Sequence, residues 1–174
     1  MARLLTPDGE MALDAGFAAQ GARLRAERAV IVPLTEELLR RVPPSDVQAG
    51  LRARLDDPSY VAGLCQPGCG WAMIDADQPV MIGGVVPVWP GRGLAWMAAL
   101  PAAGLRHWLG AARFIRPLLA SLPQRRIEAT IRADHPEGCR WAEVLGFARE
   151  GLMRGFGEDG ADFWLYARIN PREV

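Results

Sequence analysis

The sequence predicts an α/β (α+β) fold in which helices flank one central sheet. Short apolar segments, some alternating at period 2, are separated by longer amphipathic ones, as strands and helices require. Residues 126–169 read without interruption as strand, helix and hairpin. With 174 residues and 50% hydrophobic content, the chain can close one sizeable core, so a single domain is expected.

In chain order, residues 1–28 form an extension ahead of a domain spanning 29–174. Thr6-Pro7-Asp8-Gly9 is a turn, and residues 11–28 are alanine-rich and broken by Gly16 and Gly21. The extension serves either as a leader over the sheet edge or as a partner-binding arm. Ala29-Val30-Ile31-Val32 is a short first strand. Thr35 caps a helix with Glu36 and Glu37 in its first turn and arginines in its last, the arrangement the helix dipole favours. A second helix is expected over 46–57, with Val47, Leu51 and Leu55 on one side and Pro58 as its stop, followed by a loop over 60–69.

Residues 71–75 and 79–88 read as the second and third strands, joined by an Asp75-Ala76-Asp77-Gln78 turn. Gly83-Gly84 in the third marks a bulge or a close backbone approach. Residues 94–100, apolar on both faces, make a central fourth strand. A long helix follows over 105–122, with Trp108, Ala112, Ile115 and Leu119 as its buried stripe and a kink or break at Pro117. In the fifth strand Ile127, Ala129 and Ile131 face inwards, while Glu128, Thr130 and Arg132 face outwards. The next helix buries Cys139, Ala142 and Leu145, and Gly146 closes it by taking a left-handed conformation. Two strands, 147–156 and 161–169, flank Gly157-Glu158-Asp159-Gly160.

Twenty basic and 20 acidic residues cancel, which gives no electrostatic footprint for nucleic acid or an anionic membrane. All 20 basic residues are arginine, which reads as genome composition. No apolar run approaches the ~20 residues of a membrane span, and the start of the chain lacks a signal-peptide core. A cytoplasmic protein is expected, with its three cysteines reduced.

Trp141-Ala142-Glu143-Val144-Leu145-Gly146-Phe147, followed by Arg149-Glu150-Gly151, resembles the helix-to-strand junction of the GNAT acyltransferase superfamily, whose members often show "LGF…EG" there. The resemblance spans roughly residues 29–169, and its specific part is the last 45 or so. It implies a mixed, mostly antiparallel sheet of six to seven strands with about four helices. It also implies acetyl-CoA held where the fourth strand splays from the fifth, and a small-molecule or peptide amine as acceptor.

In that superfamily the loop after the fourth strand carries Q/R-x-x-G-x-G/A, whose small residues turn backbone N–H groups towards a diphosphate at a helix start. Here Pro101-Ala102-Ala103-Gly104-Leu105-Arg106 stands there, and only Gly104 matches. The resemblance makes Met97, Ala98, Ala99, Gly104, Leu105 and Arg106 the candidate cofactor-binding residues. It also places His135 where an asparagine is usual and Ala142 where the usual tyrosine would protonate the departing thiolate.

His135, whose side-chain type suits acid–base work, is the catalytic candidate. Asp75, Glu128 and Asp134 are carboxylates by availability only. Cys65-x3-Cys69 and His135-x3-Cys139 offer four zinc-type ligands, but the spacing is loose and the pairs belong to separate places, so no metal is expected. Cys139 reads as a core residue. Of the six tryptophans, Trp89, next to Pro90 at a strand end, is the one expected to line a cleft.

Within the superfamily the chain looks most like the GNAT-like proteins of phages and prophages. Two functions follow from these resemblances. One is an acetyl-CoA-dependent N-acyltransferase. The other is a non-catalytic assembly component of a phage-like particle, located in the virion and docked on other particle proteins through residues 1–28 or an exposed apolar surface.

Overall fold

A computed structural model describes residues 29–41, 54–100 and 103–171. The expected extension, most of the expected 46–57 helix and Pro101-Ala102 lie outside them. Seven strands form one sheet: β1 (Ala29–Pro33), β2 (Gly70–Asp75), β3 (Gln78–Trp89), β4 (Arg92–Ala99), β5 (Arg126–Arg132), β6 (Ala148–Met153) and β7 (Phe163–Ile169). Their order is β1-β2-β3-β4-β5-β7-β6, so β4 is central, as its apolar faces predict. Every pairing is antiparallel except β4 with β5.

Helices α1 (Glu36–Arg41) and α2 (Pro58–Leu64) lie on one face of the sheet, over a core that includes Leu39, Val61, Leu64, Ile82 and Ala98. Helices α3 (Leu105–Ser121) and α4 (Pro136–Val144) lie on the other, over Trp71, Met81, Phe114, Ile127 and Tyr166.

Thr35 caps α1 as expected, its hydroxyl accepting from Leu38 N–H at 3.3 Å. Pro58 does the opposite of stopping a helix: it opens α2, where the expectation was a loop. The reason is local. A proline at the first helical position lacks only an N–H that has no partner there, and the Asp57 carboxylate accepts from Ser59 N–H at 2.8 Å and Tyr60 N–H at 3.4 Å.

Gly83-Gly84 proves to be a close backbone approach. A Cβ on Gly84 would stand 1.9 Å from Cys69 O, and the register shift in the β2–β3 pair lies instead at Met73/Ile74. Gly146, at φ +87°, ends α4 as read: its N–H donates to Glu143 O and that of Phe147 to Ala142 O, each at 3.0 Å, the paired bonds of a Schellman close.

Two expectations need correcting. Helix α3 runs through Pro117 without ending there, and its buried positions are His107, Gly110, Ala111, Phe114, Ile115 and Leu119, with Trp108 and Ala112 only half-buried. The apolar residues of α3 are spread widely enough to fit either stripe, and burial of a polar residue, His107, shifts the choice. Glu128 is buried rather than outward-facing, because two arginines neutralise it. Within the sheet β7 lies between β5 and β6.

Candidate functional site

The β4–β5 ladder is three residues long. Arg92, Gly93 and Leu94 pair with Arg126, Ile127 and Glu128, and no pairing follows. From Ala95 onwards β4 pairs with β3 and no longer with β5, so the two parallel strands splay towards their carboxyl ends. Leu100 N–H donates to Val80 O in β3, while Gly91 O accepts from Arg126 N–H in β5, both at 3.0 Å. Strand alternation then turns the main-chain groups of Ala95, Met97 and Ala99 towards the splay and those of Ala98 towards β3. Of the three candidate positions on this strand, Met97 and Ala99 therefore face the splay. Ala98 does not, and its side chain is buried beneath α1 and α2.

At the start of α3 the candidate phosphate site is already engaged by the protein itself. Gly104 N–H donates to His107 Nδ1 at 3.0 Å, so the ring proton sits on Nε2, which donates to Asp75 Oδ2 at 2.9 Å. Arg106 Nη2 meets the same carboxylate oxygen. Asp75 is 10% exposed and His107 7%, while Arg106 is 59% exposed, so the helix start carries a buried carboxylate of the chain's own. Leu105, 75% exposed, points into solvent.

The Asp75–His107 pair, 32 residues apart in sequence, is what sequence reading missed. Asp75 was expected at a turn, and its partner His107 sits in the first turn of a long helix, where nothing in the sequence marks it for a carboxylate on another element. Arg106, a candidate cofactor contact, is 59% exposed and pairs with Asp75.

Between α3 and α4, Trp108 and Trp141 meet edge to face with ring centroids 4.8 Å apart. Trp108 Nε1 donates to Ala103 O at 3.0 Å, whereas the buried Trp141 Nε1 has no acceptor among the described residues.

His135 is the N-cap residue of α4 but makes no side-chain capping bond. Its Nδ1 lies 3.5 Å from Glu137 Oε2, and its ring packs over Gly138. Asp134 is held by Arg132, whose hydrogen bonds keep that carboxyl below its usual range. The position expected for the tyrosine, Ala142, is buried in the core.

One tyrosine does reach α4 from β7. The hydroxyl of Tyr166 donates to Glu143 Oε1 at 3.2 Å and accepts from Arg149 Nε at 3.0 Å. Burial, with a hydrogen bond to Cys139, pushes its ionisation up to about 12. Tyr166 is fully buried, so this hydroxyl braces the α4–β6–β7 junction.

Acetyl-CoA, the cofactor of the resemblance, can be tested against these residues part by part. The splay, with main-chain groups of β4 facing into it, suits an amide-bearing thioester arm. The start of α3 does not suit a diphosphate, because Gly104 N–H is spent on His107 and Asp75 places a carboxylate there.

Trp89 and Pro90 line a cleft, as expected. It lies at the other end of the β4–β5 pair and measures about 620 Å³. Cys69 and Cys139 are buried free thiols, and Cys65, also free, is half-buried. Among the described residues no helix is long and apolar enough to cross a membrane.

No protein-family model matches the chain, and no curated protein does. Solved structures do. Ard1 from Thermoplasma volcanium is similar with a TM-score of 0.65 at 15% identity, over 83% of this chain and 99% of that one. A GNAT-family acetyltransferase from Bacillus cereus gives 0.62 at 10% identity, over 83% and 99%. The ribosomal-protein-S18-alanine N-acetyltransferase from Escherichia coli gives 0.61 at 14%, over 83% and 96%. At such identities the likeness is one of architecture, and the seven-stranded sheet with its β4–β5 splay has the fold of the GNAT acetyltransferases.

Proposed function

We propose that the chain is a GNAT-type N-acyltransferase that grips acetyl-CoA by its thioester arm and passes the acyl group to an amine on a small molecule or peptide. The observation that supports this reading is the end of the β4–β5 ladder at Leu94 and Glu128, which turns the main chain of Ala95 and Ala99 towards the splay between the two strands. Two of the solved structures it resembles are named for acetylation of a ribosomal-protein alanine and of spermidine, both amine acceptors. When bound, acetyl-CoA supplies an activated acyl carbonyl. The chain's own contribution is to orient that carbonyl and to direct backbone N–H groups at it, which acts through proximity and charge stabilisation.

Among the described residues no side-chain acid or base is brought to the gap. His107 uses both ring nitrogens, Tyr166 is sealed, and Asp75 and Glu128 are paired with arginines. The amine therefore has to arrive neutral, and the initial rate is expected to rise with pH along the acceptor's own ionisation. His135→Ala is expected to change kcat by less than about threefold, whereas loss of a general acid or base typically costs 10²-fold or more. A hundredfold fall would return His135 to the catalytic role first assigned to it.

Calorimetric titration tests the reading itself. Acetyl-CoA and acetyl-pantetheine, which lacks the diphosphate, are expected to bind within about threefold of each other, since a diphosphate held at α3 would add about tenfold, or 1.4 kcal/mol, or more. If neither bound at millimolar concentration, the acyltransferase reading would fail. A non-catalytic protein of this fold would then be the reading, which the chain's own carboxylate at the α3 start favours.

A further inference from the structure

The geometry points to a second ligand site, at the end of the β4–β5 pair away from the splay: a cleft for a planar ring that carries a phosphate or carboxylate group. Its floor arises from two local events. A register shift at Pro87/Trp89 displaces the end of β3, leaving the Trp89 indole 57% exposed. Gly91, at φ +84°, then reverses the chain so that Arg92 returns with its guanidinium 4.2 Å from the centre of the Trp89 ring.

The hydrogen bond from Arg126 N–H to Gly91 O brings the start of β5, with Arg125 and Arg126, against that turn. The result is a cavity of about 620 Å³ with three guanidinium groups and one carboxylate, Glu128, on its walls. That size falls within the ~300–1,000 Å³ of small-molecule sites.

The four charges have different duties. Glu128 is saturated, its Oε2 by Arg92 and its Oε1 by Arg126 Nε at 2.5 Å. Arg126 also takes Glu150 through both terminal nitrogens. These contacts hold Arg92 and Arg126 rigid, so little ordering remains to be done on binding. Arg125 is exposed and makes no side-chain hydrogen bond or ion pair among the described residues.

The site therefore offers an open aromatic shelf beside one unengaged fork of N–H donors, which suits a ring and an oxyanion on the same molecule. Five strand residues, roughly 16 Å of rise, separate Arg92 from Met97. The cleft is thus a place distinct from the acyl gap, and its occupancy does not depend on whether acyl transfer occurs there.

The probes are adenosine 5′-monophosphate and benzoate, titrated calorimetrically into the full chain, with inorganic phosphate and adenosine as half-ligands. At least one probe is expected to bind in the submillimolar range, at least about tenfold more tightly than either half-ligand. AMP and benzoate separate the phosphate from the carboxylate source. Trp89→Ala and Arg125→Ala are each expected to weaken binding about tenfold or more while leaving the unfolding temperature near that of the parent, because both side chains are exposed. Absence of binding by both probes at 10 mM, or undiminished binding in both variants, overturns the assignment.

Discussion

Gly84→Ala is expected to cost at least about 3 kcal/mol of unfolding free energy, the largest loss from any single methyl added to the sheet. The methyl would be placed 1.9 Å from Cys69 O and against the Gly70 main chain. That carbonyl cannot retreat cheaply, because it accepts Val85 N–H at 2.8 Å in the ladder joining β2 to β3. Gly70 and Gly84 are register partners, so moving one strand displaces the Trp71–Gly83 pair beside them in the core under α3. Gly63→Ala is the matching control. Nothing lies within 4 Å of that position, which is helical, so the change is expected to be neutral or stabilising by about 0.5–1 kcal/mol. Denaturant unfolding of both variants checks the pair, and a Gly84→Ala loss below about 1 kcal/mol would show that β2 and β3 can part freely.

Glu128→Gln is expected to cost about 2–3 kcal/mol near neutral pH. Breaking a fully buried ion pair typically costs 3–5, and the figure is reduced here because Arg92 and Arg126 keep 27% and 29% of their side chains in water. The Arg92 hydrogen bond, opposed by burial and reinforced by Arg126, holds the Glu128 carboxyl below its usual 4.5.

A carboxylate whose folded pKa is depressed stabilises the fold above its unfolded pKa and loses that contribution as pH falls through the folded value. The gap between parent and variant should therefore be constant above about pH 5 and close on acidification below 4.5, in urea unfolding repeated across that range. A gap that did not change with pH would mean that Glu128 contributes through packing and not through its charge. The same substitution loosens Arg92 and Arg126, so it also probes how much of the Trp89 cleft is preorganised.

The features that were legible before any coordinates are those decided within a few residues along the chain. Gly146 was readable as a helix close because the Schellman bonds connect it and Phe147 to Glu143 and Ala142. Thr35 was readable as a cap for the same reason, and Trp89-Pro90 as a cleft residue because an indole beside a glycine turn has nothing local to cover it. Period-2 and helical spacing located most elements. Pro58 was ambiguous even locally: proline both ends and begins helices, and what decided was the Asp57 carboxylate reaching Ser59 and Tyr60 N–H.

Most of the candidate site was not legible, because its contacts join residues 31 to 36 positions apart. Asp75 meets Arg106 and His107 only because the order β2-β3-β4 carries the end of β2 to the start of α3. Glu128 meets Arg92 only because β5 pairs parallel to the start of β4. In both cases a charge expected at a turn or in solvent is buried, because a partner from another strand or helix neutralises it. The sequence alone determined that the chain builds an α/β sheet closed by a strand, helix and hairpin unit, since apolar periodicity and capping chemistry act over one or two turns. Only the tertiary structure decided that β4 and β5 part after three residues and that the start of α3 is spent on the protein's own carboxylate, because both depend on which distant groups strand order brings within hydrogen-bonding reach.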